Sequence, residues 1–327
     1  MFHLGGSDID ALFEYLRSRD EKFQNESLLS TEKPGEGNMN YVLRIRYDSE
    51  SFILKQARPY VEKYPSIPAP VERIVTEASF YKTIQQDPLL KTQTPLLLWT
   101  DEKNSLIALE DLGAASDYSV MYTKQKQLSS GEAEQLLSFL SALHKHGKDK
   151  SEKAFYNKAM KQLNHQHIFL FPFMEENGFD LDVVQPGLQS LAMKFKTNAA
   201  IHEATAALGA IYIANGNTLL HGDYYPGSWL LTTKGIRIID PEFCFYGPAV
   251  FDYAVMKAHC ILSLQSENIL QMIDNAVNNL HCDEKLLYDK FTSVEIMRRL
   301  IGLAQLPLCH SIEQKEALLQ QAAQNLL

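Results

Sequence analysis

The stretch from Leu219 to Tyr253, LLHGDYYPGSWLLTTKGIRIIDPEFCFYGPAVFDY, constrains the fold more than any other part of the chain. Trp229 to Thr233 and Ile236 to Ile239 are apolar runs separated by Lys234-Gly235, a spacing that predicts a two-stranded hairpin. A hairpin returns on itself. Asp223, on the loop before the first strand, is therefore expected near Asp240 and Glu242 at the exit of the second. Clustered carboxylates repel one another unless a proton or a cation compensates. Mg2+ suits hard oxygen ligands and keeps coordination positions for phosphate oxygens. One Asp for the nucleophile and an acidic pair for a metal is the layout of a phosphoryl-transfer site. A single Asp on a loop also caps turns. The joint spacing of His221-Gly222-Asp223 and Asp240-Pro241-Glu242 is what selects the functional reading.

Upstream, Leu28 to Arg46 reads as two strands around the turn Gly35-Glu36-Gly37-Asn38-Met39-Asn40. Glycine permits close backbone approach, and Asn is its best substitute at positive φ. Exposed amides of Gly35, Gly37 and Asn38 in such a loop can hold phosphate oxygens, although any hairpin turns on Gly and Asn. The next strand, Ser51 to Gln56, carries Lys55 inside an apolar run, and a buried lysine needs a partner. A helix predicted over 71–85 offers Glu72 and Glu77. Glu77, mid-helix, is the expected partner; Glu72 fits the first helical turn. A strand lysine paired with a helix glutamate is how kinases grip ATP. Further strands are predicted at Pro95 to Thr100 and Leu106 to Leu109, running out into Glu110-Asp111-Leu112-Gly113, whose backbone could pair with a planar base. The domain boundary is expected there, giving a nucleotide-binding lobe over 1–110 and a catalytic lobe over 111–327.

Helices dominate beyond that point. An amphipathic helix is predicted over 8–17 and a buried one over 131–146, with His144 and His146 as cap and surface residues. The region 151–218 reads as helical with an interruption near 169–177, where Ile168 to Phe173 is expected in the core. Another helix starts at Gly247 to Asp252, with Asp252 expected to bond the backbone of the catalytic loop. In Glu295-Ile296-Met297-Arg298-Arg299-Leu300-Ile301, apolar positions flank two adjacent arginines. Neighbours on a helix point about 100° apart, so both cannot reach bulk water from a packed helix.

Composition narrows the function classes. At 327 residues, 45% hydrophobic and 22% charged, the chain has the make-up of a soluble globular protein. A net charge of −9 argues against a broad basic face for nucleic acid. Cys244, Cys260, Cys282 and Cys309 lack CxxC spacing and sit among apolar residues, as buried thiols of a reducing compartment do. With no signal-peptide pattern and no apolar run of membrane length, a cytoplasmic location is expected.

Together GEGNMNYV, LKQARPYV, LEDL, HGDYYPGS, IIDPEFCFYGPAVFD and MRRLIGLAQ resemble the protein-kinase-like small-molecule kinases, which include aminoglycoside and choline phosphotransferases. DPEFCFYGP and RRLIGLA are most similar to the methylthioribose kinase branch. The resemblance implies a bilobal α+β fold, with a five-stranded antiparallel N-lobe and a mostly helical C-lobe. It implies ATP- and Mg2+-dependent phosphorylation of a hydroxyl on a sugar-like metabolite. By resemblance Asp223 acts on the acceptor hydroxyl, and Asp240 and Glu242 bind Mg2+. Ser228 stands at a position where most of the superfamily has a metal-ligating Asn. Asn40 and Lys55 contact ATP, Glu110, Asp111 and Leu112 hold the adenine, and Arg298 and Arg299 face the sugar. The loop reads HGDYYPGS where the branch usually reads HGDLHTGS, which puts Tyr224, Tyr225 and Pro226 beside the acceptor. An aminoglycoside or amino-alcohol kinase and a nucleotide-binding pseudokinase are the rival readings, and a homodimer is left open.

Overall fold

A computed structural model describes residues 2–6, 8–19, 23, 28–35, 37–124, 126–148, 152–278 and 282–327. Glu36, in the glycine-rich turn, lies outside the described residues. The chain divides into two compact units, Met1–Ala115 and Ser116–Leu327.

In the first unit, helix α1 (Ile9–Arg19) precedes strands β1 (Leu28–Glu32), β2 (Tyr41–Tyr47) and β3 (Ser51–Gln56). A short hairpin of β4 (Tyr60–Val61) and β5 (Tyr64–Pro68) follows, then α2 (Arg73–Ile84), α3 (Pro88–Thr92), β6 (Leu97–Asp101) and β7 (Leu106–Glu110). The sheet runs β1-β2-β3-β7-β6, five strands, with every neighbouring pair antiparallel. Side chains alternate faces along a strand. Tyr41, Leu43, Ile45 and Tyr47 therefore point one way, joined by Phe52 and Leu54, and Leu12 and Leu16 of α1 close that core. Lys55 points to the other face, where Glu77 of α2 meets it. The β4–β5 hairpin was not anticipated from the sequence. Its two-residue strand and its two prolines give no periodicity to read.

The second unit begins with β8 (Ser116–Asp117), α4 (Val120–Lys124) and α5 (Ser130–His146), the last started by a Ser129–Glu132 capping box. Next come α6 (Lys158–His165), a π-turn and a 3-10 turn over 166–173, α7 (Leu188–Lys196), α8 (Ala199–Ile213) and β9 (Thr218–Leu220). The predicted hairpin is β10 (Trp229–Thr232) with β11 (Gly235–Ile238), and Trp229 faces Ile238 across it. β12 (Phe245–Gly247) then returns to pair antiparallel with β9. The chain ends in α9 (Val250–Leu262), α10 (Glu267–Val277), α11 (Cys282–Ile301) and α12 (Ile312–Leu326). Phe169 and Phe173 are buried as expected, whereas Leu170 is exposed.

Two further expectations need correction. Cys244 and Cys260 are buried, but Cys309 is exposed, because it lies in the irregular segment between α11 and α12. The side chain of Cys282 is outside the described residues. His144 is not a surface residue. It is 8% exposed and pairs with Asp252, since α9 packs close enough to bring a carboxylate to the end of α5.

Candidate active site

The β9–β12 pairing places the His221-Gly222-Asp223 loop beside the turn that follows β11. Gly222 sits at φ +84, and a Cβ there would lie 2.1 Å from the Phe243 carbonyl oxygen, so backbone passes backbone where no side chain fits. Asp252, fully buried in the first turn of α9, accepts hydrogen bonds from the amides of His221 (2.8 Å) and Gly222 (3.0 Å). Its Oδ2 is also 3.0 Å from His144 Nε2. Asp252 thus fixes the loop. The buried His221 ring has Nε2 3.0 Å from the Ile239 carbonyl, while its Nδ1 accepts from the Asp223 amide at 3.4 Å. That pattern puts the ring proton on Nε2 and ties the Asp223 loop to the residue preceding Asp240.

Asp223 keeps about a quarter of its side chain accessible, at 24%. Arg298 Nη2 and Arg299 Nη2 lie 4.0 and 3.9 Å from its Oδ1, and both arginines are largely buried on α11. Burial pushes the Asp223 carboxyl up to about 6, against the opposing pull of Arg299 and Arg298; Glu295 and Glu242 push the same way as burial. Glu295 accepts from Arg298 Nε at 2.5 Å and from Arg299 Nε at 2.8 Å. Despite its burial, those two guanidinium groups hold its carboxyl well below the ordinary range. Each arginine therefore uses Nε on Glu295 and aims a terminal nitrogen at Asp223. A local ion pair and an orientation toward the loop, alternatives on sequence grounds, coexist.

Of the three residues that distinguish the loop, only Tyr225 stands near this cluster. The Arg299 Cζ lies 5.2 Å from its ring centroid. Tyr224 is fully buried, donates to the Leu136 carbonyl at 3.0 Å and stacks on Phe139, so it turns away from the expected acceptor position. Pro226 is buried and its carbonyl accepts from the Tyr118 amide. Alternation around the loop sends Tyr224 and Tyr225 to opposite sides.

Asp240 adopts φ +61, which carries the chain sharply from β11 into the Pro241–Phe243 turn. Glu242 is 5% exposed and close enough to raise the Asp223 carboxyl. The Asn157 side chain donates to the carbonyls of Glu242 and Cys244 and so braces this turn. Ser228 Oγ donates to the Asp223 carbonyl at 3.0 Å, leaving its lone pairs as the oxygen donor. Among the described residues no three His, Cys, Asp or Glu side chains gather as a metal cluster. Mg2+ requires only one or two protein carboxylates when phosphates and water complete its shell. Asp240, Glu242 and the Ser228 hydroxyl match that chemistry.

In the first unit Lys55 Nζ is 2.8 Å from Glu77 Oε1, with both side chains buried. Gly37 is needed where it stands, since a Cβ there would lie 2.4 Å from the Asn40 carbonyl; Gly35 and Asn38 are exposed. Asn40 is buried, and its Oδ1 accepts from Arg73 Nε at 2.8 Å. Arg73 also donates to the carbonyls of Met39, Arg58 and Pro70, so one guanidinium anchors the glycine-rich turn. The Glu110 side chain accepts from the Leu96 amide, and Asp111 is held by Arg44. Arg73, Asn157, His259 and Tyr122 escaped the sequence reading, and His144 was placed at the surface. Only Glu295, three and four residues before the arginines, carried a legible signal.

The chain resembles methylthioribose kinase of Bacillus velezensis at 29% identity, over 75% of this chain and 64% of that protein. It also resembles methylthioribose kinase of Geobacillus sp. at 27% identity, over 91% of this chain and 84% of that protein. The chain spans less than two thirds of the length of the first of these relatives. Among solved structures, choline kinase from Cryptosporidium parvum superposes with a TM-score of 0.56 at 13% identity, covering 97% of this chain and 95% of that one. Choline kinase LicA from Streptococcus pneumoniae gives 0.53 at 11%, covering 96% and 98%. These likenesses fix the protein-kinase-like fold. The phosphotransferase enzyme family profile matches residues 30–277, and the chain belongs to that family.

Proposed function

We propose that this protein is an ATP- and Mg2+-dependent kinase that phosphorylates a hydroxyl of a sugar-like metabolite, methylthioribose or a close analogue. The observation that carries the reading is Asp223 with the terminal nitrogens of Arg298 and Arg299 at 4.0 and 3.9 Å from one carboxylate oxygen. Those separations exceed hydrogen-bond length. They leave both guanidinium groups donors for acceptor oxygens next to the carboxylate that takes the hydroxyl proton. With its carboxyl at about 6, Asp223 is ionised near neutral pH yet basic enough to accept that proton. Lys55, aligned by Glu77, and the amides of Gly35, Gly37 and Asn38 are assigned to the ATP phosphates, and the backbone of Glu110 to Leu112 to adenine. Asp240, Glu242 and Ser228 would hold Mg2+, which when bound neutralises charge on the transferring phosphates.

The Arg298 and Arg299 forks present hydrogen-bond donors at the acceptor position, which suits hydroxyl oxygens and disfavours choline or an aminoglycoside. A coupled ADP-release assay across methylthioribose, ribose, choline and an aminoglycoside tests the assignment. We expect turnover with methylthioribose, and Arg298→Lys and Arg299→Lys to raise its KM while that of ATP stays near wild type, because lysine keeps charge but loses the planar fork. Preferred turnover of choline would overturn the acceptor class. Nucleotide binding without turnover on any acceptor would favour the pseudokinase reading.

A further inference from the structure

The arginine pair does not stand alone on α11. Glu295 Oε1, besides accepting from Arg299 Nε, lies 3.0 Å from His259 Nε2 on α9. His259 Nδ1 in turn meets the hydroxyl of Tyr122 on α4. His259 and Glu295 are 0% and 2% exposed, and Tyr122 is 3% exposed. The proton positions follow from this order. A carboxylate only accepts, so His259 Nε2 carries the hydrogen; Nδ1 is then the acceptor, and the phenol donates to it. Burial, the largest influence, pushes the imidazole down to about 4, which keeps the ring neutral, and pushes the Tyr122 phenol well above its ordinary value. The chain of donors runs in one direction, from Tyr122 through His259 to Glu295.

Glu295 fastens both arginines by Nε alone, Arg298 on Oε2 and Arg299 on Oε1. Arg298, held at Nε, can still swing about that contact, whereas Arg299 Nη1 also reaches the Ala304 carbonyl at 3.5 Å; a carboxylate free to rotate would carry both forks with it. His259, donating to the same oxygen as Arg299, stops that rotation. The cluster Asp223, Glu295, Arg298 and Arg299 is also electroneutral, so the forks offer direction rather than surplus charge. The Tyr225 ring closes the group, 5.4 Å from the His259 ring and 5.2 Å from Arg299 Cζ.

We infer that Tyr122, His259 and Glu295 form a buried positioning relay that aims the arginine pair at the acceptor oxygens beside Asp223. None of the three touches the acceptor. Their effect passes through the arginines, and the inference rests on the reading that those arginines bind the acceptor. The relay predicts a split between substrates. Tyr122→Phe removes one hydroxyl without changing packing and should raise the KM for methylthioribose about 3–10-fold, with the KM for ATP within about twofold of wild type. Glu295→Gln should raise it more than about tenfold. In the Arg299→Lys background, where the fork is already lost, Tyr122→Phe should add little, because members of one network are not additive.

Steady-state kinetics of the full chain with both substrates, alongside melting curves, tests this. If Tyr122→Phe and Glu295→Gln lower the melting temperature but leave the acceptor KM unchanged, or raise both KM values alike, the relay is only structural and the inference falls. Should Glu295→Gln fail to fold, Tyr122→Phe alone and with Arg299→Lys decides the matter. Normal acceptor kinetics in Arg298→Lys and Arg299→Lys would overturn the acceptor reading itself, a failure distinct from that of the relay.

Discussion

Replacing Asp223 by Asn should stabilise the metal-free protein while abolishing its chemistry. An aspartate titrates near 3.8 in an unfolded chain, and burial pushes this one up to about 6. The folded state therefore holds the proton more tightly. The corresponding stability is fully present below pH 3.8 and lost as pH rises through about 6. That interval corresponds to about 3 kcal/mol at about 1.4 kcal/mol per pH unit. The 24% of the side chain open to solvent screens part of it, and we set the gain from Asp223→Asn at about 2 kcal/mol at pH 8. In a unit of this size that is a rise in Tm of about 5 °C. At pH 5, where the wild-type group is mostly protonated, the gain should fall to about half. Calorimetry in EDTA at both pH values measures it, and a coupled assay should show turnover reduced by about 10²–10⁴ with ATP binding retained. A lower Tm at pH 8, or the same gain at both pH values, would refute the burial argument. Undiminished turnover would remove Asp223 from catalysis.

Asp240→Asn should abolish Mg2+-dependent nucleotide binding while leaving Tm near wild type, as read by titration with and without EDTA. Lys55→Met removes the cation 2.8 Å from the buried Glu77 carboxylate and should cost about 3 kcal/mol of stability as well as ATP affinity; Lys55→Met combined with Glu77→Leu should recover the stability but not the affinity. Gly222→Ala forces a Cβ to 2.1 Å from the Phe243 carbonyl and should destabilise by more than about 2 kcal/mol, measured by urea unfolding. Wild-type turnover should decline as pH falls through about 6, with the slope of a single proton, in a pH–rate profile.

The sequence alone determined the elements whose cause is local. The β10–β11 hairpin follows from two apolar runs around Lys234-Gly235, and α5 from its apolar stripe. The five-stranded sheet and the helical C-terminal part agree with what the family resemblance implied. The Lys55–Glu77 pair was also legible, because a lysine in an apolar strand must find a carboxylate and the next helix offers one at mid-length. What only the tertiary structure decided depends on which helices pack together. His144 is an ordinary end-of-helix histidine until α9 brings Asp252 against it. Tyr122 and His259 lie 137 residues apart, and no periodicity links them. Tyr224 and Tyr225 are identical and adjacent, yet one supports the core and the other faces Arg299, since the loop's path settles which side each takes. Local physics selects a residue's secondary structure, while its partners across the core are chosen by the energy of the whole packed arrangement, which no window of sequence contains.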